Sequence, residues 1–529
     1  MKKFTFLFLL ALTLNGCLST KQYNSQIYEP IAVQDLHADI DFIHRKLVRL
    51  HPKLDWYISS VDLDFKFDSL KKSIKTPLNS YQFYRQLSPV LYSIRQGHIH
   101  ATPRITKLSK KELIALNKKG KGPFSQFEYE IFENRLFVTS NKSNFNELKI
   151  GTEIISINNL NIKELLEDSR NLMGSDGLNQ TLYDHYSDNV LLSDFSYKFG
   201  IQDSISFEFN WNDSIFQKVI HREKIGVSKS SEVEKLKIKQ TKAQKDSIKS
   251  LNKYKNIHGF DPQKERYNRQ LTFQDADSTI ALMQIKSFTI GNFKTFYKES
   301  FSLLDRKKTP YLIIDLRDNG GGRLSDCTQL FAHLTKDSTF TMIDKQLVTR
   351  KSSMLHIPYF QGGNTFSKIL RMPVAPFVYT TFYFKTLQDA SGNYYFDTKY
   401  AKVQNKSLPS YEGKVYVLIN GGSFSASSII SSNLKGTERA FFVGEETGGT
   451  FNGTVAGTMP IFKLPHSKVQ VRFGLQLIAP TQKTKIFGRG ILPNKTIIPT
   501  VNDRINGIDP ELEWILNDIT NKKTNQSPD

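Results

Sequence analysis

The sequence contains very few cysteines and none of the short motifs that bind metals or nucleotides. Of its 529 residues, only Cys17 and Cys327 are cysteines, so the fold must depend on a large core and not on several disulfides. No CxxC pair, HExxH segment or GxxxxGK[ST] loop is present, and we therefore expect no cofactor and no metal site. Cys327 lies in an apolar helical pattern, which favours a packing role over a nucleophilic one.

Beyond its N-terminus the sequence has no apolar run long enough to span a bilayer, which takes ~20 residues. The first residues, MKKFTFLFLLALTLNGC, combine two lysines with a short apolar stretch before Cys17. This pattern is typical of a lipoprotein signal peptide over residues 1–17, although Asn15 stands where a small residue is usual. We expect a cell-envelope protein, periplasmic or at the outer membrane and lipid-anchored through Cys17. Cleavage of an ordinary signal peptide would instead leave a free periplasmic or secreted protein.

Acidic residues are outnumbered, and the formal net charge is +21. Much of the excess lies in Ser228–Lys255, which is rich in lysine, lacks proline and has too few apolar residues for a core face. Residues 223–268 are therefore predicted to be a solvated helical insertion or linker. A basic surface can bind nucleic acid or anionic lipid headgroups, but a secretion signal argues against a nucleic-acid partner.

Three further regions follow from the sequence pattern. Residues 18–123 form a predicted helical domain, because apolar residues recur at helical spacing from Ala32 to Leu50 and in two later stretches. Residues 124–222 are strand-rich. Residues 269–520 alternate between strands and helices, which predicts an α/β core. A segment at about 339–409, rich in Tyr, Phe and Thr, is predicted to be a β-rich insertion over the cleft.

Two strand-to-helix turns in this core are rich in glycine and serine. Val415–Ile430 (VYVLINGGSFSASSII) places four serines where a helix should begin, and Tyr311–Phe331 contains three consecutive glycines. Such turns expose a side chain at a strand end and free backbone N–H groups beside it. Serine is also a common helix N-cap. Side by side, the turns suggest a hydrolase site with a nucleophile on one and oxyanion-binding amides on the other.

Six segments resemble, in order, elements of the S41 serine peptidases, the C-terminal processing and tricorn-like proteases. These segments are IALMQIKSF (Ile280–Phe288), DLRDNGGG (Asp315–Gly322), SFSASSI (Ser423–Ile429), FVGEETGG (Phe442–Gly449), GRGILPN (Gly488–Asn494) and GIDPELEWIL (Gly507–Leu516). The resemblance implies a ClpP/crotonase-like α/β core. In the strand-rich region, Leu148–Ser169 also resembles part of a PDZ domain, which implies either a peptide-binding or a purely structural module.

The S41 resemblance assigns roles to particular residues. Ser425 corresponds to the nucleophile, and the oxyanion would be held by the amides of Ala426 and of Gly320 or Gly321. In the tricorn-like branch a histidine of the N-terminal region is the base, and the matching residue here is His98. With an unperturbed pKa of ~6.5, histidine suits proton transfer at neutral pH.

Several positions depart from the family pattern. Thr450 stands where the processing proteases have a lysine, which argues against a Ser–Lys dyad. Phe487 occupies the position of the tricorn-like glutamate that orients the histidine. Glu445 and Glu446 are the candidates for that orienting group, although either could be a structural residue.

These residues predict a serine-type endopeptidase that cleaves a protein or peptide substrate through a Ser425 acyl-enzyme. The alternative is a non-catalytic protein on the same scaffold that binds peptides or lipophilic ligands. A third hypothesis is an interaction protein acting through the PDZ-like module. The sequence leaves the substrate, the catalytic acid and the oligomeric state open.

Overall fold

The computed structural model of the protein describes residues 19–224, 242–262 and 264–524. The predicted signal peptide with Cys17 and part of the lysine-rich insertion lie outside these residues. Of that insertion, Lys242–His258 forms a helix, and its side chains from Asp246 onward lie largely in solvent.

The N-terminal region is helical, as its apolar periodicity predicts. Its helices are Thr20–Ser25, Val33–Leu50, Ser60–Ser73, Ser80–Tyr92 and Lys110–Lys119. Polar side chains at Ser59, Asn79 and Ser109 accept backbone N–H bonds and so cap three of these helices. Between the helices Ser80–Tyr92 and Lys110–Lys119, the chain turns at Gly97 and forms a short strand, β1 (His100–Thr102).

The second region contains a six-stranded antiparallel sheet in which β2-β3-β4-β6-β7 lie in this order and β5 pairs with β4. Its strands are β2 (Phe127–Phe132), β3 (Arg135–Asn141), β4 (Glu153–Ile157), β5 (Leu160–Asn161), β6 (Ser204–Trp211) and β7 (Ser214–His221). Asn158 and Asn159 both have positive φ and form the tight turn between β4 and β5. The helices Ile162–Arg170 and Thr181–Phe199 accompany the sheet, and the second contacts β2.

The third region is built on a six-stranded sheet, and the predicted α/β class is confirmed. After the short pair β8 (Phe260–Asp261) and β9 (Arg266–Tyr267), the strand order is β10-β11-β12-β18-β19-β24. These six strands are β10 (Arg269–Phe273), β11 (Ile280–Ile285), β12 (Tyr311–Asp315), β18 (Lys414–Ile419), β19 (Ala440–Gly444) and β24 (Lys495–Thr496). All neighbours are parallel except β10 and β11. Because β12 and β18 are adjacent and parallel, the two glycine-rich turns that follow them lie side by side.

Helices cover this sheet, and shorter strands complete the region. The helices are Phe293–Lys307, Leu324–Leu334, Ala426–Gly436 and Pro510–Thr524, whereas the short helix Val501–Asn506 contacts β3 of the second region. The shorter strands are β13 (Thr339–Phe340), β14 (Gln346–Val348), β15 (Thr386–Gln388), β16 (Tyr394–Phe396), β17 (Gln404–Asn405), β20 (Thr454–Ala456), β21 (Ile461–Lys463), β22 (Gln470–Arg472) and β23 (Gln476–Ile478). Both faces of the central strands carry buried apolar side chains, which explains their continuous apolar runs.

The segment at 339–409 differs from the β-rich insertion that its composition predicts. Its strands are short, and between β14 and β15 it forms the helices Thr365–Arg371 and Ala375–Phe384. Some of the aromatic side chains that suggested strands instead pack these helices against the rest of the segment, for example Phe382, which stacks on Phe396 of β16.

The helical N-terminal region and the α/β region share one hydrophobic core. Strand β1 pairs with β22, residue His100 opposite Arg472. Leu36, Phe83 and Ile99 are packed in the same buried cluster as Val471 and Phe473. This joint packing carries the segment before β1 to the glycine-rich turns of the sheet. Among the described residues, no helix is both long enough and apolar enough to cross a membrane.

Candidate active site

Ser425 lies at the sharp turn between β18 and the helix Ala426–Gly436. It adopts φ 57° and ψ −120°, a backbone conformation that non-glycine residues rarely occupy. Such a conformation costs of order 1–3 kcal/mol and persists only where the surrounding structure enforces it. Ser423, Ser427 and Ser428 are fully or almost fully buried around it. The turn therefore singles out Ser425 among the clustered serines.

The glycine-rich turn after β12 packs directly against Ser425. Gly321 has φ +94°, and a Cβ at this position would lie 2.6 Å from the Ser425 Cβ. Its amide donates to the Asn319 side chain at 2.9 Å. Among the described residues, no hydrogen bond occupies the amides of Gly320 and Ala426. Of the two glycines proposed for an oxyanion site, Gly320 is therefore the one with an available donor.

The structure brings His98 to Ser425 across 327 residues of sequence. The His98 Nε2 lies 3.1 Å from the Ser425 Oγ, and its Nδ1 lies 3.0 Å from the Thr454 Oγ1. The imidazole stacks on Phe424 with a centroid distance of 4.7 Å and is only 8% exposed. Burial, with a contribution from the Arg472 charge, lowers the pKa of His98 to about 4. The ring is therefore neutral at physiological pH.

A buried carboxyl group supports the His98 turn from behind. The Asp176 Oδ1 accepts the Gly97 amide hydrogen at 2.7 Å. Burial raises the pKa of Asp176 to about 7, against the opposing effects of the Gly97 amide and the neighbouring Thr454 hydroxyl. Its Oδ2 is buried without an aligned hydrogen-bond partner among the described residues. Gly97 has no room for a side chain, because a Cβ there would lie 2.7 Å from the Phe424 ring.

Thr454 and Asp176 are the site residues that sequence reasoning missed. Thr454 lies in β20 and belongs to none of the recognised motifs. The glycines around Asp176, in the segment GSDG, indicate only a turn. Nothing in the sequence links either residue to His98. The contacts of His98 with Thr454 and of Gly97 with Asp176 form only when the N-terminal region packs against the other two regions.

Glu445 and Glu446 do not take the orienting position predicted for one of them. The Glu445 Oε2 pairs with the His185 Nε2 at 2.9 Å and accepts the Gly421 amide hydrogen at 3.1 Å. The Glu446 carboxylate binds the Arg489 guanidinium and accepts the Gly490 amide hydrogen at 2.6 Å. Both carboxylates brace the loops around the site, while the His98 Nδ1 faces Thr454.

His185 joins three segments next to the glycine-rich turn. Its Nε2 pairs with Glu445, and its Nδ1 lies 3.3 Å from the Asp318 Oδ1. Burial alone would lower the pKa of His185, but these two carboxylates raise it to about 10. Asp318 in turn accepts a hydrogen bond from the Asn420 side chain at 2.9 Å, which ties the two glycine-rich turns together.

The Cys327 thiol and possible metal ligands are the other reactive groups that the sequence raised. Cys327 is a buried free cysteine, and burial raises the pKa of its thiol. Within the described ranges, no three His, Cys, Asp or Glu side chains are grouped so that they could hold a metal ion.

Comparison with known proteins identifies the third region. Residues 279–497 match the model of peptidase family S41. This part of the chain belongs to peptidase family S41. The match contains both glycine-rich turns and Ser425, together with five of the six segments that resemble the family, and Gly507–Leu516 lies beyond it. The resemblance is therefore confirmed over these five segments, and the protein is a serine peptidase. No curated protein matches the sequence.

Among solved structures, the protein is similar to mature CPAF. The CPAF crystal structure has 14% sequence identity and a TM-score of 0.60, and the match covers 94% of this chain and 99% of CPAF. CPAF complexed with lactacystin has 14% identity and a TM-score of 0.56, with 90% and 95% covered. A photosystem II D1 C-terminal processing protease gives 13% identity and a TM-score of 0.41, with 88% and 93% covered. The CPAF matches show a shared fold that extends over nearly the whole chain.

Proposed function

We propose that this S41 peptidase is a cell-envelope endopeptidase with Ser425 as the nucleophile and His98 as the general base. One observation carries the proposal. The Ser425 Oγ, on a turn with φ 57°, lies 3.1 Å from the Nε2 of an imidazole whose pKa of about 4 keeps it neutral. A serine hydroxyl needs such a base, because it attacks poorly until its proton is removed.

In the first half-reaction the Ser425 Oγ attacks the carbonyl carbon of the scissile peptide bond. Its proton passes to the His98 Nε2, and a tetrahedral oxyanion forms. The amides of Gly320 and Ala426 supply two donors for this oxyanion, and losing one such donor typically costs ~10²–10³ in rate. His98 then protonates the leaving amine, the C–N bond breaks, and the acyl group remains on Ser425.

In the second half-reaction a water molecule attacks the acyl-enzyme. His98 removes one proton from the water and later returns it to the Ser425 Oγ as the C–O ester bond breaks. The carboxylic acid product then leaves, and the free serine is restored. The same imidazole is therefore base and acid in turn, which requires that one ring nitrogen stays directed at Ser425.

Thr454 and Asp176 supply that direction. An Nδ1–H donated to the Thr454 Oγ1 at 3.0 Å leaves Nε2 as the acceptor for the Ser425 proton. Asp176 holds the backbone of the turn through the Gly97 amide and lies beside the Thr454 hydroxyl. Both are positioning residues, since neither touches the reacting atoms.

A cleft beside the glycine-rich turn is large enough for a segment of polypeptide, and it is lined by Asp318 and Asn420 of the turns rather than by Ser425 or His98. It has a volume of about 1240 Å³ and lies between the edge strand β2, the helix Thr181–Phe199 and the turns that contain Asp318 and Asn420. The free edge of β2 offers backbone groups to an extended chain, the usual mode of strand addition. Carboxylates and guanidinium groups both line the cleft, for example Glu130 and Arg317.

The location in the cell envelope rests on the N-terminal sequence pattern, since Cys17 lies outside the described residues.

Hydrolysis of an unstructured protein such as casein tests the proposed nucleophile. We expect Ser425→Ala to reduce cleavage by at least ~10³-fold, the order of loss seen when a triad member is removed. Ser427→Ala is the matched control. Its buried hydroxyl has no hydrogen-bond partner among the described residues, so its removal should leave activity and fold intact. Equal activity in wild type and Ser425→Ala would refute the assignment.

Replacement of Thr454 tests the positioning role. Thr454→Val keeps the side-chain shape but cannot accept the Nδ1–H, and we expect kcat to fall about 10²-fold or more with KM nearly unchanged. Thr454→Ser retains the hydroxyl and should restore most of the rate. A loss of the same size in both variants would indicate a packing role only.

A further inference from the structure

The helical part of the 339–409 insertion exposes a dense group of large apolar side chains. We call this group the apolar tip, and it comprises Phe366, Ile369, Leu370, Met372, Val374, Phe377 and Phe384. Phe377 is 74% exposed, and each of the other six is at least half exposed. Exposed large apolar residues concentrated in one segment of a folded protein in this way point to an interaction site.

The spacing of these residues places them on coherent helix faces. Phe366, Ile369 and Leu370 are separated by three and four positions in the helix Thr365–Arg371, and so lie on one side of it. In the helix Ala375–Phe384, Phe377 and Phe384 are seven positions apart and also share a face. The opposite face of that helix is already used, because Phe382 stacks on Phe396 and Tyr379 contacts Tyr359.

The Ala375–Phe384 helix is therefore uncharged on every side, with Thr380 and Thr381 beside Phe377 and Phe384 on the outer one, although only the inner side is packed against protein. Its sequence, APFVYTTFYF, contains no charged residue. Helices of this type occur in protein cores or in contact with lipid. The inner side has its partner in the described structure, and the outer side lacks one among the described residues.

The segment that carries the apolar tip has charged residues of a single sign. From Lys345 to Gln388 the sequence contains no aspartate or glutamate. The same segment contains Lys345, Arg350, Lys351, Lys368, Arg371 and Lys385. None of these six cations forms an ion pair with a carboxylate of a described residue. Their charge is left for an external anionic partner.

We propose that the apolar tip is a docking surface for an anionic lipid bilayer. Phe, Leu, Ile and Met side chains would enter the boundary between headgroups and acyl chains, while the surrounding lysines and arginines contact lipid phosphates. An apolar protein partner would need neither the uninterrupted cationic segment nor its lack of carboxylates. The docking goes beyond the proposed peptidase function and requires neither Ser425 nor a lipid on Cys17.

The test uses the full chain with Cys17→Ser, so that no acyl group at that position contributes. Phe377→Trp places a fluorescent reporter in the apolar tip. Phe65→Trp is the matched control, because Phe65 is also exposed, at 70%, but shares its helix with Asp62, Asp64 and Asp68. Both proteins are mixed with vesicles of pure phosphatidylcholine or with vesicles containing about a third phosphatidylglycerol, some with brominated acyl chains.

We expect the Phe377→Trp emission to shift to the blue and to be quenched by brominated lipid with the anionic vesicles only. Phe65→Trp should not respond. Lys368→Glu combined with Lys385→Glu should weaken the Phe377→Trp response at least tenfold, whereas Lys110→Glu with Lys111→Glu, which changes the net charge equally, should not. No response of Phe377→Trp, or an equal one with phosphatidylcholine, overturns the proposal. A blue shift that appears without vesicles and grows with protein concentration also overturns it, because a second copy of the chain would then cover the surface.

Discussion

At the scale of single residues, the proposed role of His98 as the base means that its low pKa sets the pH range in which the peptidase can act. Only a neutral imidazole accepts the Ser425 proton, and burial together with Arg472 lowers the pKa of His98 to about 4. The same depression acts on stability. Since an exposed histidine in the unfolded chain takes up a proton near pH 6.5, His98 destabilises the fold as the pH falls from 6.5 towards 4.

We therefore predict an acidic limb of kcat/KM near pH 4, well below the usual histidine value. Arg472→Gln removes the cation that contributes to the lowered pKa, and its acidic limb should lie at higher pH than that of wild type. Arg472→Lys keeps the charge and should follow the wild-type profile. The measurement is peptide hydrolysis from pH 3.5 to 8. A wild-type limb near pH 6.5 would contradict a base buried in this way.

Sequence alone predicted the residues whose roles are encoded locally. Ser425 and the glycine-rich turn stand out because a strand, a turn and a helix start are all visible within one short segment. His98 could be found only by family resemblance. Thr454 is 356 positions from His98, and the pairing of β1 with β22 brings the two regions together. A contact that depends on sheet register across such a separation has no local signal in the sequence.

At the scale of structural elements, the two glycine-rich turns must fit closely for the site to form. A side chain at Gly321 would meet the Ser425 Cβ at 2.6 Å and the Ala426 amide nitrogen at 2.8 Å, in a backbone conformation with φ +94°. None of these neighbours can move without displacing the nucleophile.

Gly321→Ala should therefore reduce peptidase activity by at least ~10²-fold, the size of effect caused by a small misplacement of a reacting group. Gly362→Ala is the control, because Gly362 has a similar φ of +71° but open space around it. It should cost only about 1 kcal/mol of stability and leave activity unchanged. Similar activities of the two variants would show that the turns can separate without consequence.

His185 with Asp318 and Glu445, the His185 cluster, links the same turns through ion pairs. The pKa of His185, about 10, exceeds the ordinary histidine value. His185 therefore takes up a proton on folding at neutral pH. The resulting stability is fully present below pH 6.5 and is lost as the pH rises through 10.

Urea unfolding at pH 6, 8 and 10 measures this contribution. The wild-type free energy of unfolding should fall across this range more steeply than that of His185→Gln. His466→Gln, at a surface histidine that is not part of the cluster, should follow wild type. Parallel pH dependences for wild type and His185→Gln would mean that His185 is not protonated in the folded state.

At the scale of the whole molecule, we expect the N-terminal helices and the α/β region to unfold as one cooperative unit, because they share a buried cluster. Phe473 is fully buried in the cluster that also contains Leu36 and Phe83 of the helices. The division of the chain into regions is visible in the sequence pattern, but this shared core is not. Composition and periodicity show which faces are apolar, and they do not show which apolar faces meet.

Phe473→Ala should lower the free energy of unfolding by about 3–5 kcal/mol through the cavity it leaves. We expect the helical circular-dichroism signal and peptidase activity to be lost together in urea. Phe65→Ala, at an exposed position, should change stability by no more than about 0.5 kcal/mol. Loss of activity in a separate transition from the helices would show that the two regions unfold independently.

The most direct test of the account is labelling of the folded protein with a fluorophosphonate, which reacts with activated serines. Wild type and Ser427→Ala should be labelled at equal rates, Ser425→Ala should not be labelled, and His98→Ala should be labelled at least ~10²-fold more slowly. Labelling that persists in Ser425→Ala, or an intact wild type that does not react, would contradict an S41 peptidase site built on Ser425 and His98 and would favour a binding protein on the same scaffold.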